Sequence, residues 1–254
     1  LYDSQTSIIK YTPHLRDQDY LIPNIDENRK PEPLPRDYYL GYANSEEEYY
    51  ETGKKDLKTM DAILLANGYS ERTCQVVLDL GCGSARMLGN LHLHFKDSEL
   101  WGTDISASLI YWCKVNLAGK ANFATTTLIP HLPFESNYFN LVYCGSVFTH
   151  IDDLAEAWML EVRRVLKKGG IFFVTIGDEN TMKLLDSESK DHFFAKYVQT
   201  KKIYLENKHN FGMLVMERDN HSQVFYSRSY FKKMVEPVFE VLQFVDGAYG
   251  YQSV

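Results

Sequence analysis

The chain has 254 residues, 44% of them apolar and 24% charged, the composition of a folded soluble protein with one large core. Its formal net charge of −7 argues against nucleic acid as a partner, because binders of nucleic acid usually present a basic face. Arg163-Arg164 and Lys232-Lys233 read as solvated helix faces, and no apolar run approaches the roughly 18 residues of a membrane span.

Residues 1–44 are rich in Pro, Tyr and Asp and read as an N-terminal arm whose end docks through Tyr38, Tyr39 and Tyr42. A helix follows, with Ser45 as cap and Glu48 completing an S-x-x-E box. Leu57, Met60 and Leu64 recur at helical spacing, and Gly68 is its stop. Strands and helices then alternate. "VVLDL" (76–80) is a strand, with a helix from about Ser84. "ELWGTD" (99–104) is the second strand, with a helix from Ser106 to Leu117. "NFATTT" (122–127) and "FNLVYC" (139–144) are the third and fourth. A helix striped by Ala155, Met159, Val162 and Leu166 runs to Gly169-Gly170, and "IFFVTI" (171–176) is the fifth strand. Residues 178–226 break the rhythm and read as an insertion or lid. A short helix (228–236), a strand "VFEVLQFV" and the start of a last strand "YGYQSV" follow. Such alternation predicts an α/β fold. We expect a doubly wound, mostly parallel seven-stranded Rossmann-like sheet with helices on both faces, one domain over 45–254.

The four cysteines, Cys74, Cys82, Cys113 and Cys144, form no C-x-x-C pair. They read as packed, reduced thiols of a cytoplasmic protein. His92 and His94 are two apart on a helix and point to different sides. His209 and His221 have no acid or cysteine at metal spacing, so no metal site is expected. "NHS" at Asn220 matches a glycosylation acceptor by chance.

The chemistry concentrates in "VVLDLGCGSARML". A dinucleotide fingerprint needs three glycines. Here Gly81 and Gly83 fill two places and Arg86 the third, while the P-loop pattern is absent. Asp79 lies beside the turn and would repel a pyrophosphate. Asp104 ends the next strand, 21 residues after Gly83, where an acid can accept both hydroxyls of a ribose. S-adenosylmethionine has that ribose, an ammonium and a sulfonium, and no phosphate. A nicotinamide-dependent oxidoreductase is the weaker alternative.

With "LWGTDIS", "LPFESNYFNLVYCGSVFTHIDD" and "EVRRVLKKGGIFFVTI", this stretch resembles class I S-adenosylmethionine-dependent methyltransferases. The resemblance is to small-molecule enzymes akin to those of quinone biosynthesis. It is close over 74–177, looser over 222–254, and absent over 1–44 and 180–220. It implies that Asp79, Gly81, Cys82 and Gly83 wrap the methionine part of the cofactor. Asp104 would hold the ribose and Ile105 lie against the adenine, with Thr126 or Thr127 near the adenine amine. Carbonyls at Cys144 and Gly145 would meet the amino group. Ala85 stands where many members have glycine, and Phe139-Asn140 replaces the usual "FD".

Methyl transfer requires alignment in a dry pocket, and a base only if the acceptor must lose a proton. His150 could be that base, orient the acceptor, or merely cap and pack. Asp178 could bind the acceptor or cap the next element. Asp152 and Asp153 read as helix caps, and Tyr49, Tyr50 and Gly53 as a helix face that covers the pocket or simply packs. The expected activity is methyl transfer to a small-molecule or glycan-like acceptor, at oxygen. A non-catalytic cofactor-binding module is the alternative.

Overall fold

The computed structural model describes residues 31–187, 192–217 and 222–254; most of the arm, His221 and Asn220 lie outside them. Two compact units divide the chain. The first runs to Tyr143 and takes back Glu161–Phe172. The second comprises Cys144–Leu160 and Phe173–Val254.

Past a 3-10 turn at Arg36–Tyr39, the first long element is α1, Glu46–Ala66. Ser45 caps it by accepting the Glu48 amide at 3.1 Å. The Glu48 carboxylate reaches back one residue further than the box expects, to the Asn44 amide at 2.7 Å. Three glutamates in the first turn face the positive end of the helix. Tyr49, Gly53, Leu57, Met60 and Leu64 form its buried stripe.

Strands β1 (Val76–Leu80), β2 (Glu99–Asp104), β3 (Asn122–Thr125), β4 (Phe139–Cys144) and β5 (Leu166–Val174) form one sheet in the order β3-β2-β1-β4-β5. β1 runs parallel to β2 and β4, and β2 parallel to β3. The near-continuous burial of β1 and β4 is that of central strands covered on both faces. The strand order reverses between β1 and β4, the switch point beside which open α/β sheets bind ligands. The helices following β1, β2 and β4 are α2 (Leu88–Leu91), α3 (Ala107–Asn116) and α4 (Ala155–Val165).

Three expectations are corrected. The helix drawn from Ser84 is a series of turns and then the single turn α2, because Ala85 sits at φ 65, which no right-handed helix passes through. The helix drawn to Gly169 ends at Val165, since the amides of Asn137 and Tyr138 take the carbonyls of Arg164 and Val165. The seven-stranded sheet has five strands. "VFEVLQFV" forms no ladder: Leu242 is exposed, and only Val245 exchanges a pair of backbone bonds, with Val254. Alternation makes a strand only where one face is buried. "YGYQSV" contributes bridges, Ile176 to Ser253 and Tyr249 to Gln252.

The second unit holds α5 (Glu179–Asp186), α6 (Phe193–Gln199), α7 (Lys202–Asn207), the antiparallel pair β6 (Met213–Met216) and β7 (Gln223–Tyr226), and α8 (Arg228–Val235). Met182, Leu185, Phe194, Val198, Tyr204 and Phe225 belong to a core of its own. No described helix is long and apolar enough to cross a membrane.

Candidate functional site

In the first unit the glycine turn begins where β1 stops. The amides of Gly81 and Cys82 both donate to Thr103 O, at 2.7 and 2.9 Å, which fastens the turn to the end of β2. Gly81 and Gly83 have φ of 78 and 54, the left-handed region that glycine enters without strain. Ala85 is in the same region, at φ 65. The Asp104 carboxylate accepts the Gly83 amide through one oxygen (2.9 Å) and the Ser106 amide through the other (2.8 Å). Each oxygen keeps a lone pair for a further donor. Ile105, between these residues, is 56% exposed. The Thr126 amide donates to Asp104 O, while the Thr127 hydroxyl is engaged in its own loop with Ile129. Of the two threonines, Thr126 is the one beside the acid.

Asp79 is buried, and burial pushes its carboxyl up to about 7, against the pull of the Tyr143 hydroxyl, which donates to it at 2.8 Å, and of the Arg86 charge. The thiols of Cys82 and Cys113 approach Gly83 O, and burial raises both well above the ordinary thiol range. All four cysteines are buried thiols.

The segment before the sheet covers this turn. The Tyr49 and Ser84 hydroxyls meet at 2.6 Å, and Ser84 donates to Tyr38 O. A side chain on Gly83 would lie 2.7 Å from Leu40 Cδ1. Arg86 pairs with Asp56 at 2.7 Å and stacks on the Tyr42 ring. At Gly53, α1 lies so close to Arg86 O that a Cβ would collide with it.

The donor set tests the cofactor. Two acids flank the turn, and the basic side chain of the motif is committed to Asp56. Such a set disfavours phosphate, and suits a ligand with ribose hydroxyls and cationic groups. The residues fit S-adenosylmethionine.

In the second unit, Cys144 O accepts the Thr175 amide at 3.2 Å, and the Tyr249 ring lies against the Cα of Gly145. His150 ends a 3-10 turn, Phe148–His150. Its Nδ1 lies 2.7 Å from Ser222 O, and the Tyr226 hydroxyl donates to Ile151 O. Asp178, for which the sequence offers acceptor binding or capping, caps α5. Fully buried, it accepts the Thr181 amide at 2.9 Å and pairs with Arg228 at 2.6 Å. Asp152 accepts the amide of Asp153 at 2.7 Å. Among the described residues, no histidine, cysteine and acid cluster could hold a metal. Sequence reasoning missed Tyr143, Ser222 and Leu40, since their roles depend on tertiary contacts that no local motif marks.

Residues 78–174 match the family described as a methyltransferase domain. A ubiquinone/menaquinone biosynthesis C-methyltransferase of Desulfotalea psychrophila is 32% identical over 94 residues, 37% of this chain and 38% of that protein. An uncharacterized protein of Methanocaldococcus jannaschii is 31% identical over 121 residues, 47% of this chain and 49% of its own length. The chain thus spans about half or less of these curated relatives. Two solved structures share the fold. A Pyrococcus horikoshii protein has a TM-score of 0.56 at 21% identity, covering 87% of this chain and 97% of its own. An S-adenosylmethionine-dependent methyltransferase from Clostridium acetobutylicum has 0.55 at 14% identity, covering 79% and 89%. The match marks residues 78–174 as similar to a methyltransferase domain, and the relatives include an enzyme of quinone biosynthesis.

Proposed function

We propose that the protein transfers a methyl group from S-adenosylmethionine to an oxygen of a small-molecule or glycan-like acceptor. The observation that carries the cofactor side is the Asp104 carboxylate, held by two amides at the end of β2 beside the glycine turn. When bound, the cofactor supplies an electrophilic methyl on a positive sulfur. Asp104 takes the ribose hydroxyls on its remaining lone pairs, Gly81 and Gly83 admit close approach, and Asp79 balances positive charge.

For the acceptor side we assign His150 as base. A carbonyl oxygen only accepts, so the contact with Ser222 puts the neutral ring's proton on Nδ1 and leaves the Nε2 lone pair available. Gln223 Nε2 is 3.4 Å from the same Nδ1, too long to compete with the 2.7 Å contact. Nε2 can take the proton of a hydroxyl as its oxygen attacks the methyl. This supports oxygen rather than carbon, although curated relatives include C-methyltransferases as well as a malonyl-[acyl-carrier protein] O-methyltransferase of Hahella chejuensis.

Calorimetric titration with S-adenosylmethionine, S-adenosylhomocysteine and NAD tests the reading. Binding of the first two, absent for NAD and at least about tenfold weaker in Asp104→Ala, is the expected outcome. Indifference of a well-folded wild type to both sulfur ligands would sink it. With hydroxylated acceptors, His150→Ala is expected to lower kcat about 10²-fold or more and leave cofactor affinity unchanged.

A further inference from the structure

The loop after β4 contains a strained residue, Ser146. Ser146 adopts φ 58, unfavourable for a serine, directly after Gly145. Strain of that kind persists only where surrounding contacts over-determine it, and here they form a closed ring. The Ser146 amide donates to the Thr175 hydroxyl at 2.8 Å. That hydroxyl donates to Gln252 Oε1 at 2.7 Å, and Gln252 Nε2 donates to the Ser146 hydroxyl at 2.6 Å. Thr175 is fully buried and Gln252 is 6% exposed, so these bonds meet little competition from water. Gln252 forms a backbone bridge with Tyr249 across a tight turn, and Tyr249 rests on Gly145 with no room for a Cβ between them. One turn, 249–252, therefore grips two consecutive residues of the loop, Gly145 by packing and Ser146 by hydrogen bonds.

We propose that Gln252 is a positioning residue, which acts through Thr175 and Ser146 to hold the loop after β4 in its cofactor-binding conformation. The inference rests on the proposed function and on the cofactor contact that the family resemblance implies for Cys144 and Gly145. Gln252 touches the loop and not the ligand. Its amide suits the task because the ring needs one acceptor and one donor on a single side chain.

The test is calorimetric titration with S-adenosylhomocysteine, with amide hydrogen exchange at Ser146 as a readout independent of ligand. Thr175→Val keeps the shape and deletes the hydroxyl, whereas Thr175→Ser keeps the hydroxyl. Gln252→Leu removes both side-chain bonds. Thr175→Val and Gln252→Leu are expected to bind about tenfold more weakly and to lose protection at Ser146, while Thr175→Ser retains both. Adding Ser146→Gly to Gln252→Leu removes the strain that the ring restrains, and is expected to recover much of the affinity. Melting curves ensure that folded samples are compared, Thr175→Val being the milder change if Gln252→Leu does not fold. Wild-type affinity in both ring-breaking variants overturns the proposal. So does equal weakening by Thr175→Ser and Thr175→Val, which would make Thr175 a packing residue only. A wild type that binds no S-adenosylhomocysteine while Ser146 stays protected defeats the cofactor reading instead, and the positioning role falls with it.

Discussion

In the proposed function, the buried Asp79 carboxylate serves a ligand at the expense of the free protein. Burial raises it to about 7, against an ordinary value of about 3.9. Between pH 4 and 7 the folded state therefore binds more protons than the unfolded state, and stability falls as pH rises through that window. Asp79→Asn is expected to flatten this dependence and to be more stable at pH 8 without ligand, by on the order of 3 kcal/mol. It is also expected to bind S-adenosylmethionine more weakly, most clearly above pH 7, where the wild-type carboxylate is charged. Denaturant curves and titrations at pH 5.5 and 8 check both, and identical pH profiles for the two proteins would contradict the assignment. Ala85 poses a different balance. Left-handed backbone costs an L-residue roughly 1–2 kcal/mol, but glycine would lose about 0.8 kcal/mol of buried methyl and roughly 0.5–1 kcal/mol in chain entropy. Ala85→Gly should change urea stability little. Ala85→Val adds a branch at positive φ in a fully buried position and should cost about 3 kcal/mol.

At the scale of elements, the contact of α1 with the turn depends on an ion pair that is not simply favourable. The Asp56 carboxyl is raised by burial despite the Arg86 guanidinium 2.7 Å away, so desolvation outweighs the partner. Removing either charge leaves the other poorly solvated. Asp56→Leu and Arg86→Met are each expected to destabilise by about 2–4 kcal/mol, and the double variant by less than the larger single effect. A double-mutant cycle in urea measures this, and additive losses would show the pair to be uncoupled. How much was legible also varies by element. β1, β2 and β4 could be read to the residue, because an apolar run ending in an acid or cysteine is bounded by strong turn signals. α2 could not, since nothing local marks Ala85 as left-handed. The end of α4 was missed because its last carbonyls are taken by Asn137 and Tyr138, far away in sequence.

For the whole molecule, the sequence disclosed the cofactor half of the chemistry better than the acceptor half. Gly81, Gly83, Asp79 and Asp104 follow one another at fixed spacing, so their convergence is written into strand–turn–strand order. His150 meets the carbonyl of Ser222, 72 residues later, and Asp178 pairs with Arg228, 50 residues later. Distant pairings of that sort leave no periodicity to read. They also tie candidate site residues to chain that no motif covers, and 178–226, which reads as interruption, contains a core of its own.

The separation of 106 residues between Ser146 and Gln252 bears on the protein's birth. A ribosome adding about 5–20 residues per second delivers Gln252 at least several seconds after Ser146. During that interval the glycine turn, β2 and Asp104 are all present, but the ring of hydrogen bonds at Ser146 is still open. The nascent chain thus acquires the lettering of its ligand site early and its final punctuation late. A chain halted just short of Gln252 would display all four matched motifs while lacking the amide proposed to hold one loop in place.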